Sequence, residues 1–124
     1  KALNFKNKKF LIKEKKYNIY CHLKKKKKQI ALTKNKNLTF LRNFNIPKTE
    51  PTDFKLNKKK SGWIYLCNYK NNISNIKMNI NLFYKFTRNK PKNYKWYSIE
   101  KIENVFLPSF TKRIIKKINK VYIN

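Results

Sequence analysis

The stretch Ile76-Lys-Met-Asn-Ile-Asn-Leu-Phe-Tyr-Lys-Phe86 decides the fold class of this sequence. Lysine and asparagine fill most of one set of alternate positions, and the other set is apolar throughout: Ile76, Met78, Ile80, Leu82, Tyr84 and Phe86. A period of two is typical of a strand with one face on a core and the other in water. We therefore expect a half-buried strand here.

The sequence before this strand predicts further strands. The segment from Trp63 to Tyr69 is strand-like, and the Asn71-Asn72 pair tolerates turn geometry, which predicts a central hairpin over residues 63–90. Near the N-terminus, one short alternating run holds Phe10 and Ile12, and a second holds Tyr17, Ile19, Cys21 and Leu23. Residues 13–16 would connect these two as a hairpin, and residues 29–33 and 38–44 predict two more strands.

The sequence after the central hairpin predicts helices. Ser98 is placed to cap a short helix that Pro108 would stop, and Ser109 is placed to cap a last helix reaching about Val121. At ~100° per residue, this last helix is amphipathic. Its apolar face holds Phe110, Ile114, Ile118 and Val121, and its cationic face holds Lys112, Arg113, Lys116 and Lys120.

These segments predict one α+β domain: a small antiparallel sheet with a C-terminal amphipathic helix and basic extensions. The chain of 124 residues is too short for two domains with substantial cores. Its parts are N-terminal strands with a lysine block (1–48), a basic connecting loop (49–62), the central hairpin (63–90), and a basic loop with the C-terminal helices (91–124).

Charge is the most unusual property of the sequence. Lys and Arg total 33 against 5 acidic residues, which gives a formal net charge of +28. Like charges in a small volume oppose compaction, and a polyanion relieves that repulsion while its condensed counterions are released. Disorder is the competing explanation, but 40% of the residues are apolar, 15% are aromatic and only Gly62 is glycine. We therefore expect a packed core under a cationic surface, with nucleic acid as the partner.

The candidate RNA-binding residues lie in four basic clusters, where ammonium groups can contact phosphates without reading sequence. Tyr94 and Trp96 are included because aromatic rings among cations can stack on bases, although core packing is the alternative for both and is favoured for Trp63. Phe83 should contact another element or an RNA surface. The selected residues are Lys24, Lys25, Lys26, Lys27, Lys28, Lys58, Lys59, Lys60, Arg88, Lys90, Lys92, Tyr94, Lys95, Trp96, Lys112, Arg113, Lys116, Lys117 and Lys120.

The sequence gives little support to catalysis, metal binding or membrane insertion. Acid–base catalysis requires positioned titratable groups, but His22 is the only histidine and the five acids are scattered. Cys21 and Cys67 stand 46 residues apart, as reduced thiols or as one disulfide, and do not form a zinc motif. No apolar run approaches the ~18 residues of a membrane span. We predict no enzymatic activity, small-molecule substrate, cofactor, metal or transmembrane segment.

Mutational pressure is visible in the choice of cation. Only three of the 33 cationic residues are Arg, although its planar fork suits RNA contacts, and Lys, Asn, Ile, Phe and Tyr all have codons built from A and T. Such a bias predicts an AT-rich mitochondrial genome, with a plastid genome as the alternative. A nuclear gene of an AT-rich parasite or a reduced bacterium would show the same bias.

The chain as a whole resembles organelle-encoded ribosomal proteins, particularly the Lys-, Asn-, Ile-, Phe- and Tyr-rich ones of protist mitochondria. The resemblance lies in the lysine runs at 24–28 and 58–60, the scarcity of acids and the basic terminal helix. It implies a structural constituent of the ribosome that binds rRNA and neighbouring ribosomal proteins. The alternatives are a free-standing nucleic-acid-binding or RNA-processing accessory protein and, third, a cationic membrane-surface or secreted peptide-like protein.

Overall fold

A computed structural model describes residues 13–52 and 62–123. Within these ranges the chain forms seven strands, one short 3₁₀ turn and one long helix, which confirms the predicted α+β class. The elements are β1 (Lys13–Lys24), β2 (Gln29–Lys34), β3 (Asn45–Ile46), β4 (Lys48–Pro51), β5 (Ile64–Ile73), β6 (Ile76–Phe86), β7 (Lys95–Ser98), the 3₁₀ turn Ile102–Asn104 and α1 (Ser109–Ile123).

The sheet is mixed, so the predicted antiparallel sheet is wrong in this respect. Its order is β3-β2-β1-β6-β5, with β4 also paired to β1 and β7 to β2. The central pair β1–β6 is parallel over eleven residues, from Lys13 beside Ile76 to Leu23 beside Phe86, and the other pairings are antiparallel. Parallel neighbours need a long crossover, which the chain between β1 and β6 supplies. The alternation of apolar and polar residues predicts a strand, but it does not say whether that strand runs parallel or antiparallel to its neighbour.

The central hairpin turns later than predicted. Asn71 and Asn72 belong to β5, opposite Met78 and Lys77, and the turn lies at residues 74–75. Ser74 has a left-handed φ of 53°. The apolar pairing of Ile73 with Ile76 extends the ladder beyond the asparagines, so neighbouring strand contacts outweigh their turn preference.

The predicted N-terminal hairpin is also wrong, because residues 13–16 begin β1 instead of forming a turn. They pair with residues 76–79 of β6, and the side chains of Lys15 and Lys16 are exposed. An exposed lysine does not interrupt a strand whose backbone is paired on a ladder. Phe10 and Ile12 lie outside the described residues.

Residues 38–44 form a loop instead of the predicted strand, and the buried Asn35 side chain organises it. Its Oδ1 accepts a hydrogen bond from the Leu38 N–H (3.0 Å), and its Nδ2 donates to the carbonyls of Phe40 (2.5 Å) and Leu41 (3.0 Å). Leu41 and Asn43 have φ angles of 54° and 68°. Hydrogen bonds from one asparagine side chain to the backbone thus take the place of the strand pairing that the apolar run predicts.

Two other boundaries differ from the sequence prediction. The connecting loop predicted for 49–62 begins with strand residues, because β4 continues to Pro51 against β1, and residues 53–61 are outside the described ranges. Ser98 does not cap a helix but ends β7, opposite Gln29. In place of the predicted short helix, the chain between Ser98 and Pro108 forms the 3₁₀ turn Ile102–Asn104, which has no side-chain cap. Pairing of β7 with β2 takes precedence over the local capping signal.

The main core lies between α1 and one face of the β1–β6 pair. Helix α1 begins at Ser109, but the Lys112 N–H donates to the Pro108 carbonyl, so Ser109 is the first helical residue and not the predicted cap, and the helix reaches Ile123 instead of about Val121. Phe110, Ile114 and Ile118 of the predicted apolar face are buried. Thr111, near its start, donates a hydrogen bond to the Asn45 carbonyl (2.6 Å). The strand residues of this core are Tyr17, Ile19, Cys21 and Leu23 of β1, Met78, Ile80 and Leu82 of β6, Ile30 and Leu32 of β2, and Ile46 of β3. The amphipathic patterns of both strand and helix therefore identify the core correctly.

The opposite sheet face is not the wet surface that alternation predicts. Phe83 is 0% exposed; its ring stacks on Tyr20 at 5.2 Å and meets Tyr65 edge-on at 5.6 Å. Asn81 is also buried and donates to Asn18 Oδ1 (3.1 Å). Aromatic rings therefore cover part of this face. The asparagine side chains are tolerated beside them because an amide has both a donor and an acceptor, so that paired amides satisfy one another's hydrogen-bonding groups.

Truncation of the helix core should unfold the domain more readily. Ile118 is fully buried, so Ile118→Ala should lower the free energy of unfolding by about 2–5 kcal/mol, measured by urea titration. Lys116→Ala, on the exposed side of the same helix, is the control and should change it by less than about 0.5 kcal/mol. Equal effects of the two variants would contradict the position of α1.

Candidate nucleic-acid interface

The structure distributes the predicted basic clusters over three elements. Residues 24–28 form the end of β1 and the β1–β2 turn, residues 88–95 form the β6–β7 loop and the first residue of β7, and residues 112–120 lie on α1. Lys58, Lys59 and Lys60 lie outside the described residues. The three described clusters build two cationic clefts and one exposed helix stripe.

The first cleft region, which we call the sheet-end surface, joins residues from all three described clusters. A cleft of about 590 Å³ and a recess of about 320 Å³ share Lys25 and Phe86. The cleft is also lined by Lys28, Leu66, Tyr84, Lys120, Val121 and Tyr122, and the recess by Lys24, Lys26, Thr87 and Arg88. Cations that are distant in sequence therefore converge around one phenylalanine.

An aromatic cluster supports the sheet-end surface. The Phe86 ring meets Tyr84 at 5.9 Å and Tyr122 at 5.6 Å, both edge-on, and Lys25 Nζ lies 5.8 Å from its centroid. The Tyr122 hydroxyl donates to the Lys24 carbonyl (2.8 Å), which ties the end of α1 to the start of the turn. The helix, the turn and β6 are thus held together at this end of the sheet.

The second cleft, which we call the loop cleft, lies at the other end of β2. It has a volume of about 610 Å³. The Thr33 hydroxyl donates to the Asn93 carbonyl (2.9 Å) and fixes the β6–β7 loop against β2. The lining residues are Leu32, Thr33, Lys34, Lys36, Asn37, Asn45, Lys92, Asn93, Tyr94, Lys95 and Tyr97. Sequence reasoning selected three of these and missed Lys34 and Lys36, which are single lysines outside any run.

Helix α1 divides its cations between packing and solvent. Arg113 donates to Asn71 Oδ1 (3.0 Å), and both Arg113 and Lys117 lie over the Tyr69 ring, at 5.5 and 4.6 Å. These two predicted RNA-binding residues therefore contact β5. The side chains of Lys112 and Lys116 are exposed on the outer side of the helix, in line with Lys120 at four-residue spacing. We call these three lysines the α1 stripe.

The tryptophans are half-buried. Trp63 packs on the second sheet face, with its ring 5.0 Å from Tyr20 and 4.9 Å from His22. Trp96 lies on β7, with Lys24 Nζ at 5.6 Å from its ring. Trp63 thus packs against rings of the second sheet face without entering the main core, whereas Trp96 adjoins Lys24, a predicted RNA-binding residue.

The described acids neutralise few of the cations. Ion pairs join Lys28 to Glu100 (3.6 Å), Lys48 to Glu50 (3.5 Å) and Lys70 to Glu14 (2.5 Å). The hydrogen bond from Lys70 and its charge lower the pKa of Glu14. Of these three pairs, the first involves a residue that lines one of the two cleft regions, Lys28.

The titratable residues do not assemble into a further site within the described ranges. No three His, Cys, Asp or Glu residues there lie close enough together to hold a metal. Cys21 and Cys67 are free thiols, and burial raises the pKa of both. No helix in residues 13–52 and 62–123 has both the length and the apolar character needed to cross a membrane.

The fold is shared with proteins of known structure, two of which illustrate the likeness. No family model and no curated protein matches the chain. The C-terminal domain of mouse MUTYH, solved in complex with human PCNA, superimposes with a TM-score of 0.69 and 9% identity, covering 87% of this chain and 89% of that one. The NUDIX domain of Shewanella oneidensis NrtR, solved with ADP ribose, gives 0.65 and 9%, covering 94% and 93%. At this identity the likeness defines the fold and not the activity.

His22 should titrate well below its ordinary range. Burial, followed by the charges of Lys85 and Lys48, lowers the pKa of His22 to about 4. The unfolded chain takes up this proton near pH 6.5, so stability should fall as the pH drops from about 6.5 to about 4. An imidazole proton resonance followed by NMR should show a midpoint near pH 4, and His22→Gln should remove this part of the pH dependence of unfolding. A midpoint above pH 6 would contradict this environment.

Proposed function

We propose that this chain is a structural constituent of an organellar ribosome, mitochondrial with plastid as the alternative, and that it binds rRNA. One observation carries the proposal: a net charge of +28 on a chain whose described residues fold as an α+β domain. A domain of ordinary size carries a net charge of about 2–8. The excess is far larger than solubility requires, and a dense array of phosphates compensates it.

The arrangement of the cations favours contact with more than one RNA segment. Strand β2 spans the distance between the two cleft regions, about 17 Å for its six residues. Helix α1 runs in the opposite direction between the same two ends, from Thr111 beside Asn45 to Tyr122 beside Lys24. Its exposed lysines therefore line the path between the two ends. A surface of this kind suits a protein enclosed by RNA better than one lying on a flat membrane.

The role we propose is stoichiometric, without catalysis or a small-molecule substrate. The two structures compared above are each 9% identical to this chain, so their likeness does not bear on this role. A single fold hosts unrelated functions, so the surface chemistry has to decide. Here that chemistry is cationic and aromatic, which fits phosphate and base contacts to rRNA, with neighbouring ribosomal proteins as further partners.

The chain should sediment with ribosomal subunits. In organelle lysate at moderate salt, the tagged chain is expected in the subunit fractions of a sucrose gradient, and only high salt should release it, because phosphate contacts weaken steeply with ionic strength. Recovery at the top of the gradient with RNA bound would favour the free-standing accessory protein instead. Flotation with anionic vesicles would favour a membrane-surface protein, and either result would refute the ribosomal assignment.

Removal of charge from the α1 stripe should weaken RNA binding in a salt-dependent way. Replacing Lys112, Lys116 and Lys120 with Gln should reduce the slope of log affinity against log salt by about 2, because each phosphate contact contributes ~0.7–0.9. Fluorescence anisotropy with a labelled rRNA fragment measures the slope. The matched control replaces the same lysines with Arg, which retains the charge and should keep the slope. An unchanged slope in the Gln variant would remove the stripe from the interface.

A further inference from the structure

Phe86 is an exposed aromatic ring surrounded by cations. Its exposed fraction is 38%, although it ends the alternating apolar series of β6, whose inner members are buried. The recess on one side and the cleft on the other bring five lysines and one arginine around it: Lys24, Lys25, Lys26, Lys28, Lys120 and Arg88. One exposed apolar residue is ordinary on a protein surface, but a ring set between two cavities with cationic linings suits a ligand that has both a flat face and anionic groups.

The ring is held in a fixed position. Tyr84 and Tyr122 meet it edge-on, and Tyr122 is itself tied to the Lys24 carbonyl. The corner beyond β6 is also ordered, because the Thr87 N–H donates to the Leu23 carbonyl (2.8 Å) and the Thr87 hydroxyl donates to the Asn89 carbonyl (3.0 Å). A preorganised ring costs little conformational entropy when a flat partner stacks on it.

Phe106 provides a comparison on the same molecule. Its exposed fraction is 79%, and its ring lies 5.8 Å from Phe44. It lines neither of the cleft regions described above. Phe86 differs because it lies between two cavities whose lining is cationic. Exposure alone therefore does not define the site; the combination of ring, cavities and cations does.

We propose that Phe86 stacks on an unpaired base of RNA, while Arg88 and the lysines of the β1–β2 turn contact the phosphates on either side. The proposal rests on RNA binding by this chain and adds the form of RNA that the sheet-end surface takes, a single-stranded segment. Every base has a π-face, so stacking tolerates sequence, and the guanidinium fork of Arg88 suits a phosphate. Bases inside a duplex do not expose their faces, so paired RNA does not use the ring.

The test compares single-stranded with paired RNA. The full chain is titrated with a labelled eight-nucleotide single strand and with a labelled duplex, using Phe86→Ala, Phe86→Leu and Phe86→Trp. Loss of one stack should weaken single-strand binding by about 5- to 150-fold in the Ala and Leu variants and leave duplex binding unchanged. Trp keeps the stack and should retain affinity. Phe106→Ala is the control for loss of an exposed ring and should leave both affinities unchanged.

Each outcome has a separate meaning. Leu keeps the apolar volume beside Tyr84 and Tyr122, so it tests stacking even where Ala unfolds the chain, and circular dichroism checks that each variant is folded. Equal losses on both RNAs, or a Leu variant that binds as well as the natural chain, would overturn the stacking site but leave RNA binding intact. If the natural chain binds neither RNA, both the stacking site and the proposed function fail.

Discussion

The contact between α1 and the β1–β6 pair is the constraint on which the cationic surfaces of residues 13–52 and 62–123 depend. Ile114 and Ile118 of the helix are fully buried there, as are Ile19, Met78 and Leu82 of the strands. Apolar burial of this kind contributes roughly 1.5–3 kcal/mol for each large side chain, and it acts against the mutual repulsion of the lysines around it. Without this core, the turn, the loop and the helix stripe would not be presented together.

Stability and binding are consequently linked in this chain. The repulsion among the cations destabilises the free domain, and any polyanion that binds the folded form relieves that repulsion and shifts the equilibrium toward it. The described acids relieve little of this repulsion, because each of the three ion pairs lies at the surface, where solvent screens the attraction between the charges. If RNA is the polyanion, its phosphates would stabilise the folded form by neutralising lysines that the chain's own acids leave unneutralised.

The sequence allowed the core to be predicted better than the interface. Alternation in β6 and the 3.6-residue period of α1 identified the buried residues, because both follow from local geometry. The loop around Asn35 depends on hydrogen bonds from its side chain to residues three to six positions later, which the apolar pattern does not reveal. Strand direction and the particular rings that cover Phe83 depend on partners far away in sequence, and no local pattern encodes them. The same reason explains why Lys34 and Phe86 were missed. A single lysine in a strand and the last phenylalanine of an alternating series look ordinary until β7 and α1 place other cations beside them.

Composition explains part of the lysine content but not its position in the β1–β2 turn. An AT-rich genome favours Lys over Arg, yet Asn is equally accessible to such a genome. Lys27 and Lys28 have φ angles of 66° and 46°, in the left-handed region that Asn adopts more readily than Lys. Mutational bias alone would therefore place Asn in this turn without loss. Two lysines at these positions make the turn less stable than asparagines would. They also place positive charge at the edge of the sheet-end surface, where Lys28 lines the cleft beside Phe86.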